Sequence, residues 1–263
     1  TAAGRTIKGL ISMRVAALYD IHGNLAALEA IHQELAADPV DLVIVGGDVV
    51  AGPFPRECLA LLQNLSIPCR YLHGNAESDW RALYEGRPVQ GLMPNAASMA
   101  AWVDSQLTAE QKAFVADWPL TVTVPWADSQ LLFCHAIPAN DTWIFTSETP
   151  ANEVESHLAG SYAAAIICGH THMQFDRQIG TQRVINAGSA GAPFGRTGAD
   201  WLLIDDDQFI LKHTTYDLAA AAATVRQSDF PGAEQFAAVN ILQPPTREQA
   251  LAFLAELAAG QAG

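Results

Sequence analysis

The stretch RVAALYDIHGN, residues 14–24, runs a short apolar segment directly into a polar turn. Residues 14–19 have the length and near-continuous apolarity of a strand buried on both faces, as in a parallel sheet. Residues 20–24 form the loop that follows, with Asn24 where a helix N-cap belongs. Leu25, Leu28, Ile31 and Leu35 then recur on one face of a helix that reaches about Ala37. DLVIV (41–45) is a second buried strand and ends in Gly46-Gly47-Asp48. Residues 56–65 read as helix after Pro53 and Pro55, and residues 69–73 as a third strand that ends in Gly74-Asn75. Strand, loop, helix, strand is the pattern of right-handed βαβ units in a parallel sheet. Ligands gather at the carboxyl ends of such strands, and the polar motifs lie there.

The alternation breaks between Asp79 and Trp118. Helix-like stretches at 95–105 and 108–116 make this segment, about 79–118, a helical cap over the site. Strand candidates follow at 120–125, 130–135, 163–168, 173–179, 182–186, 201–205 and 208–214, a β-rich rhythm that predicts a second sheet packed on the first. Residues 217–260 are Ala-rich and helical, broken by Pro231, Pro244 and Pro245. The expected fold class is α/β (α+β), two packed mixed β-sheets flanked by helices, in a single domain over residues 13–263. Met13 directly precedes the first strand, so residues 1–12 are read as an N-terminal extension.

Of 263 residues, half are hydrophobic and 16% charged, which is enough apolar material for a substantial core and argues against disorder. Acidic residues outnumber basic ones 28 to 14, for a net charge of −14. Duplex nucleic acid needs Lys and Arg to neutralise its phosphates, so it is excluded as a partner. A small phosphate ester is compatible, because bound divalent metals invert the sign of a local site. No apolar run approaches the length of a membrane span. Cys58, Cys69, Cys134 and Cys168 form no C-x-x-C pair and read as reduced, buried side chains of a cytoplasmic protein.

Seven metal-capable side chains recur immediately after strand-like runs: Asp20 and His22 (YDIHGN), Asp48 (GGDVV), Asn75 (HGNAE), His135 (LFCHA), and His170 and His172 (CGHTH). Each alone is a common turn or surface feature. Their joint placement at strand ends points to a metal site, and carboxylate, imidazole and amide donors suit manganese, iron, zinc or nickel. Glu77 is placed to orient a ligand. His73, beside Gly74-Asn75, and Arg196, in a Gly-rich run of a cation-poor half, are candidate substrate contacts. His32, His157 and His213 are read as solvent-facing. Ser189 lacks the Gly two residues earlier that a nucleophile elbow requires, so a serine hydrolase is disfavoured.

In this order the motifs resemble those of the calcineurin-like metallophosphoesterases: Asp20-Ile-His22, Gly47-Asp48, Gly74-Asn75-Ala76-Glu77, His135 and Gly169-His170-Thr171-His172. The opening DIHGN, the Pro-rich stretch after Gly47-Asp48 and Asn186-Ala-Gly-Ser189 are similar to the small prokaryotic phosphodiesterase branch. The resemblance implies a four-layer αββα sandwich and two divalent transition-metal ions. One ion would take Asp20, His22, Asp48 and His172, and the other Asp48, Asn75, His135 and His170, with Asp48 bridging. Asp48, Asn75 and His135 would be central to catalysis. The implied reaction is hydrolysis of a small phosphate ester or nucleotide, most simply a phosphodiester, by a hydroxide held between the metals. The alternative is a non-catalytic metal-binding scaffold for protein interaction, a role that one member of the family serves. The sequence departs from the family pattern at Ala76, where the family has a His placed near the leaving group.

Overall fold

The computed structural model describes residues 13–158 and 160–261, so the extension read at residues 1–12 lies outside the described residues. In chain order come β1 (Val15–Leu18), α1 (Leu25–Ala37), β2 (Leu42–Val45), α2 (Pro55–Gln63), β3 (Cys69–Tyr71) and α3 (Asn75–Tyr84). Helices α4 (Ala96–Gln106) and α5 (Ala109–Ala116) lead into β4 (Thr121–Trp126) and β5 (Ser129–Cys134). Next are α6 (Ala151–Leu158), β6 (Ala165–Cys168), β7 (Phe175–Ile179), β8 (Gln182–Asn186), β9 (Ala199–Asp205) and β10 (Gln208–Thr214). The chain continues through α7 (Leu218–Arg226), the short α8 (Ala233–Gln235), a π-helix (Phe236–Leu242) and α9 (Arg247–Gln261).

The strands form two mixed five-stranded sheets, in the orders β10-β9-β1-β2-β3 and β4-β5-β6-β8-β7. In the first, β1, β2 and β3 are parallel, and β9 and β10 extend it antiparallel from β1. In the second, β5, β6 and β8 are parallel, with β4 and β7 antiparallel at the edges. Successive strand residues point to opposite faces, and the core sorts accordingly. Ala16, Leu18, Val43 and Val45 pack with Leu28, Ile31 and Leu59 of α1 and α2. Val15, Ala17 and Ile44 pack instead with Phe133, Ile167 and Ile185 of the other sheet. Cys134, Ile166 and Val184 face outward onto Val154 and Leu158 of α6. The layers are therefore helix, sheet, sheet, helix. Tyr19 ties the sheets together, its hydroxyl donating to the Ile167 carbonyl at 3.0 Å.

Helices α3 and α6 go beyond the elements read from the sequence. Gly74-Asn75 reads as a turn, yet α3 opens there, because the Glu77 carboxylate accepts the Gly74 N–H at 2.8 Å where the glycine has no capping side chain. Helix α6 buries only Val154 and Leu158, too few apolar positions to show a period.

Candidate metal centre

The loops leaving β1, β2, β3, β5 and β6 carry the seven candidate ligands. Five of them, Asp20, His22, Asp48, His170 and His172, sit in the left-handed region, with φ between 48° and 68°. Non-glycine residues there cost roughly 1–3 kcal/mol each, so the surrounding bonds must hold them in place. The Asp20 N–H donates to the Gly47 carbonyl at 3.1 Å, and the His22 N–H to the Asp48 carbonyl at 2.8 Å. The Ser189 hydroxyl donates to the Asp20 carbonyl at 2.7 Å. Ser189 is thus fully buried and structural. Asn186 donates to the Gly169 carbonyl at 2.6 Å and so pins the loop that bears His170 and His172. Gly74 is required by space: a Cβ there would lie 2.3 Å from Asp48 Oδ1 and 2.8 Å from His135 Cε1.

The side chains converge in two triplets, Asp20 with His22 and His172, and Asp20 with Asp48 and His135, the ligand atoms of each within 4.8 Å of one another. Asp20 Oδ1 lies 3.3 Å from His172 Nε2, 3.9 Å from His22 Nε2 and 3.8 Å from His135 Nε2. The two oxygens of Asp48 face different histidines, Oδ2 at 3.7 Å from His22 Nε2 and Oδ1 at 3.5 Å from His135 Nε2. The His170 ring lies 5.0 Å from that of His135.

One nitrogen of each imidazole is committed to a backbone carbonyl. Nδ1 of His22, His135 and His172 faces the carbonyls of Ala51, Gly46 and Ala192 at 3.1, 2.9 and 2.8 Å. His170 is reversed, with Nε2 3.2 Å from the Thr142 carbonyl. The carbonyl fixes the tautomer and leaves the lone pair of the other nitrogen for a cation, the usual arrangement of metal-ligating histidines. Asp20 Oδ1, Asn75 Oδ1 and His135 Nε2 are buried without a hydrogen-bond partner. Buried polar atoms are nearly always satisfied, so the orphans of Asp20 and His135, 3.8 Å apart, together with that of Asn75 fit a divalent cation.

The titration behaviour agrees with this crowding. Burial pushes the Asp48 carboxyl up, reinforced by Glu77 and Asp20 though opposed by His135. Burial also pushes Asp20 up, but the charges of His172 and His135 outweigh it and hold the carboxyl below its ordinary range. His22 falls to about 4 through burial and the neighbouring His172. His170 falls to about 3 through burial and His135. Burial lowers His135 too, yet the carboxylates of Asp48 and Asp20 carry it up to about 9.

Glu77 is fully buried and braces the site from behind. Its Oε2 accepts the N–H groups of Asp48 and Gly74 at 2.7 and 2.8 Å, and Oε1 those of Val49 and Val50 at 2.8 and 3.2 Å. His73 is engaged elsewhere. Its Nδ1 lies 3.1 Å from Asp141 Oδ2, which also accepts the Ser78 hydroxyl. Burial raises the Asp141 carboxyl, but the bonds from His73 and Ser78 bring it down to about 2. Arg196 is paired with Asp200 at 2.7 Å and donates to Gln174 at 2.8 Å. Neither His73 nor Arg196 lines the cleft described next. His32 and His157 are exposed, the latter with its ring 4.0 Å from that of Trp143, whereas His213 is half-buried and pairs with Asp200 at 2.7 Å.

A cleft of about 650 Å³ opens from His22, Asp48, Asn75 and Ala76 and runs between two helical walls. One wall carries Met99 and Val103 of α4; the other carries Phe230 and Phe236, the latter the first residue of the π-helix. Sequence reasoning missed the second wall. Phe230 and Phe236 stand in an Ala-rich stretch whose only visible signal is helicity. It also missed Asp141 and Thr142, whose short polar turn carries no motif.

Residues 13–227 match the model of the calcineurin-like phosphoesterase superfamily domain, and the chain belongs to that superfamily. An uncharacterized protein of Methanocaldococcus jannaschii is 24% identical over 84% of this chain and 96% of its own length. The crystal structure of a metallophosphoesterase from Sphaerobacter thermophilus is 25% identical, with a TM-score of 0.64 over 82% of this chain and 94% of that one. A hypothetical protein from Pyrococcus horikoshii shares the fold at 16% identity, with a TM-score of 0.73 over 89% of this chain and 99% of that one.

Proposed function

We propose that the protein is a two-metal phosphoesterase that hydrolyses small phosphate esters, phosphodiesters foremost. The carrying observation is the set of three partnerless buried atoms, Asp20 Oδ1, Asn75 Oδ1 and His135 Nε2, among histidines whose other nitrogens are committed. Asp20, His22, Asp48 and His172 would hold one ion, and Asp48, Asn75, His135 and His170 the other. Bound ions of this kind polarise phosphoryl oxygens and bring the pKa of water down to roughly 7. Asp48 suits a bridging role because its two oxygens face different histidines. Asp20 belongs to both triplets, a more central place than the family ligand assignment gives it.

The remaining residues orient rather than react. Glu77 fixes the backbone of Asp48, and Asn186 and Ser189 fix the loops of His170 and Asp20. Ala76 borders the cleft and offers the leaving oxygen no proton. Good leaving groups, such as aryl oxides, are therefore favoured over alkoxides, since general-acid help is worth about 10²–10⁴-fold. The cap segment shapes the substrate range through its share of the cleft. The sequence reading places the protein in the cytoplasm.

The test is turnover of bis(p-nitrophenyl) phosphate against metal content. Rate should rise with occupancy of manganese, iron, zinc or nickel, and Asp48→Asn should abolish it. Metal-loaded protein that leaves this ester and p-nitrophenyl phosphate intact would instead be a metal-binding scaffold.

A further inference from the structure

Beyond the metal-ligand end, the cleft has a composition of its own. No Lys or Arg is found among the described residues that line it, and its one other charged lining residue is Asp79. A substrate group entering there meets no positive charge except what the metal end supplies. A second or third phosphate would bring negative charge toward Asp79 in a protein of net charge −14. The volume left by one phosphate is ample, since ligand sites span about 300–1,000 Å³.

The lining is suited to a flat, neutral group. Phe230 and Phe236 are buried and meet edge to face, centroids 6.0 Å apart and planes at 89°. Met99 of α4 lines the same cleft and packs against the apolar cluster that holds both rings. Aromatic rings and thioethers favour contact with planar π-systems. Three carboxamides, Asn95, Gln235 and Asn240, border the same space. Asn95 and Gln235 are exposed and Asn240 is half-buried, and each side chain offers both donors and an acceptor. Phe236 and Asn240 belong to the π-helix, a rare geometry that is frequent at functional sites.

We propose that the cleft selects a phosphodiester bearing a single negative charge and one planar, uncharged substituent with a hydrogen-bonding edge, of the nucleobase kind. The inference rests on the phosphoesterase reading and narrows it. Met99, Phe230 and Phe236 take the faces of the group, the three carboxamides read its edge, and Asp79 turns away polyphosphates.

The experiment compares p-nitrophenyl diesters that share one leaving group and differ in the other substituent: thymidine 5′-yl, phenyl and methyl. The metal-loaded protein should show kcat/KM for the thymidine ester about tenfold or more above the methyl ester, carried by KM, with phenyl between them. Met99→Ala and Asn240→Ala should each pull the thymidine-to-methyl ratio toward one. Both side chains are half-buried, and a fold defect would show as lost metal content. A nucleoside triphosphate should compete weakly, and Asp79→Asn should improve its competition. Equal kcat/KM for all three esters, or a ratio untouched by both variants, would overturn the inference while leaving the phosphoesterase reading intact. Calorimetry of thymidine 5′-(methyl phosphate) against dimethyl phosphate separates the two claims. Selective binding without any turnover would sink the phosphoesterase reading and uphold the pocket.

Discussion

Replacing Glu77 by Gln tests how the site is held together. The carboxylate accepts four backbone N–H groups in two pairs, Asp48 with Gly74 on one oxygen and Val49 with Val50 on the other. An amide of the same shape has one oxygen, so whichever way it sits, its NH₂ faces one pair of donors. Two buried donors then lose their acceptor, at about 1–3 kcal/mol each, or on the order of 2–6 kcal/mol in all. For a chain of this size 1 kcal/mol moves Tm by about 2–4 °C, so Glu77→Gln should melt on the order of 10 °C below the wild type. Glu77→Ala strips all four donors and should fall further. Because either Asp48 or its neighbour Val49 loses its acceptor whichever way the amide sits, the variant should also gain less Tm from added metal, since that gain follows affinity. Thermal unfolding with and without saturating manganese measures both effects. A Glu77→Gln protein that melts within about 2 °C of the wild type and responds equally to metal would refute the reasoning.

Gly74→Ala should preserve the fold but cut metal binding sharply, because the new methyl lands 2.3 Å from Asp48 Oδ1; equilibrium dialysis checks it. Asp141 is held below the ordinary carboxylate range, at about 2, so the folded state favours its charged form. Its stabilising contribution is present above its unfolded pKa and is lost as pH falls through about 2. The stability gap between wild type and Asp141→Asn should therefore be open at pH 5 and close toward pH 2 in chemical denaturation. Ala76→His should accelerate alkyl esters more than p-nitrophenyl esters; parallel gains across leaving groups would show that another group already donates the proton.

The first sheet and the ligand loops are legible because each strand is a short apolar run that ends in Gly, Asp, His or Asn. Val15, Ala17 and Leu18 are buried on both sides of their strand, which gives a continuous apolar run instead of alternation. Metal-capable residues leave a mark for a related reason: polar side chains directly after buried strands are conspicuous in sequence. What surrounds them is less visible. The carbonyls of Gly46, Ala51, Thr142 and Ala192 orient the imidazoles, and backbone atoms have no sequence signature. Glu77 shows only as an acid near Gly74-Asn75, although it gathers four N–H groups. Arg196 stands out as a rare cation, yet it pairs with Asp200 four residues on. The wall made by Phe230 and Phe236 depends on where the chain returns after ten strands, and local pattern does not encode that.

The central claim is two ions held by seven side chains. Anomalous scattering from crystals grown with manganese tests it most directly. The account predicts two peaks, one among Asp20, His22 and His172 and one among Asn75, His135 and His170, with Asp48 between them. Metal-replete crystals with no peak beside Asp20 and His172, or with ions only at surface carboxylates, would contradict it.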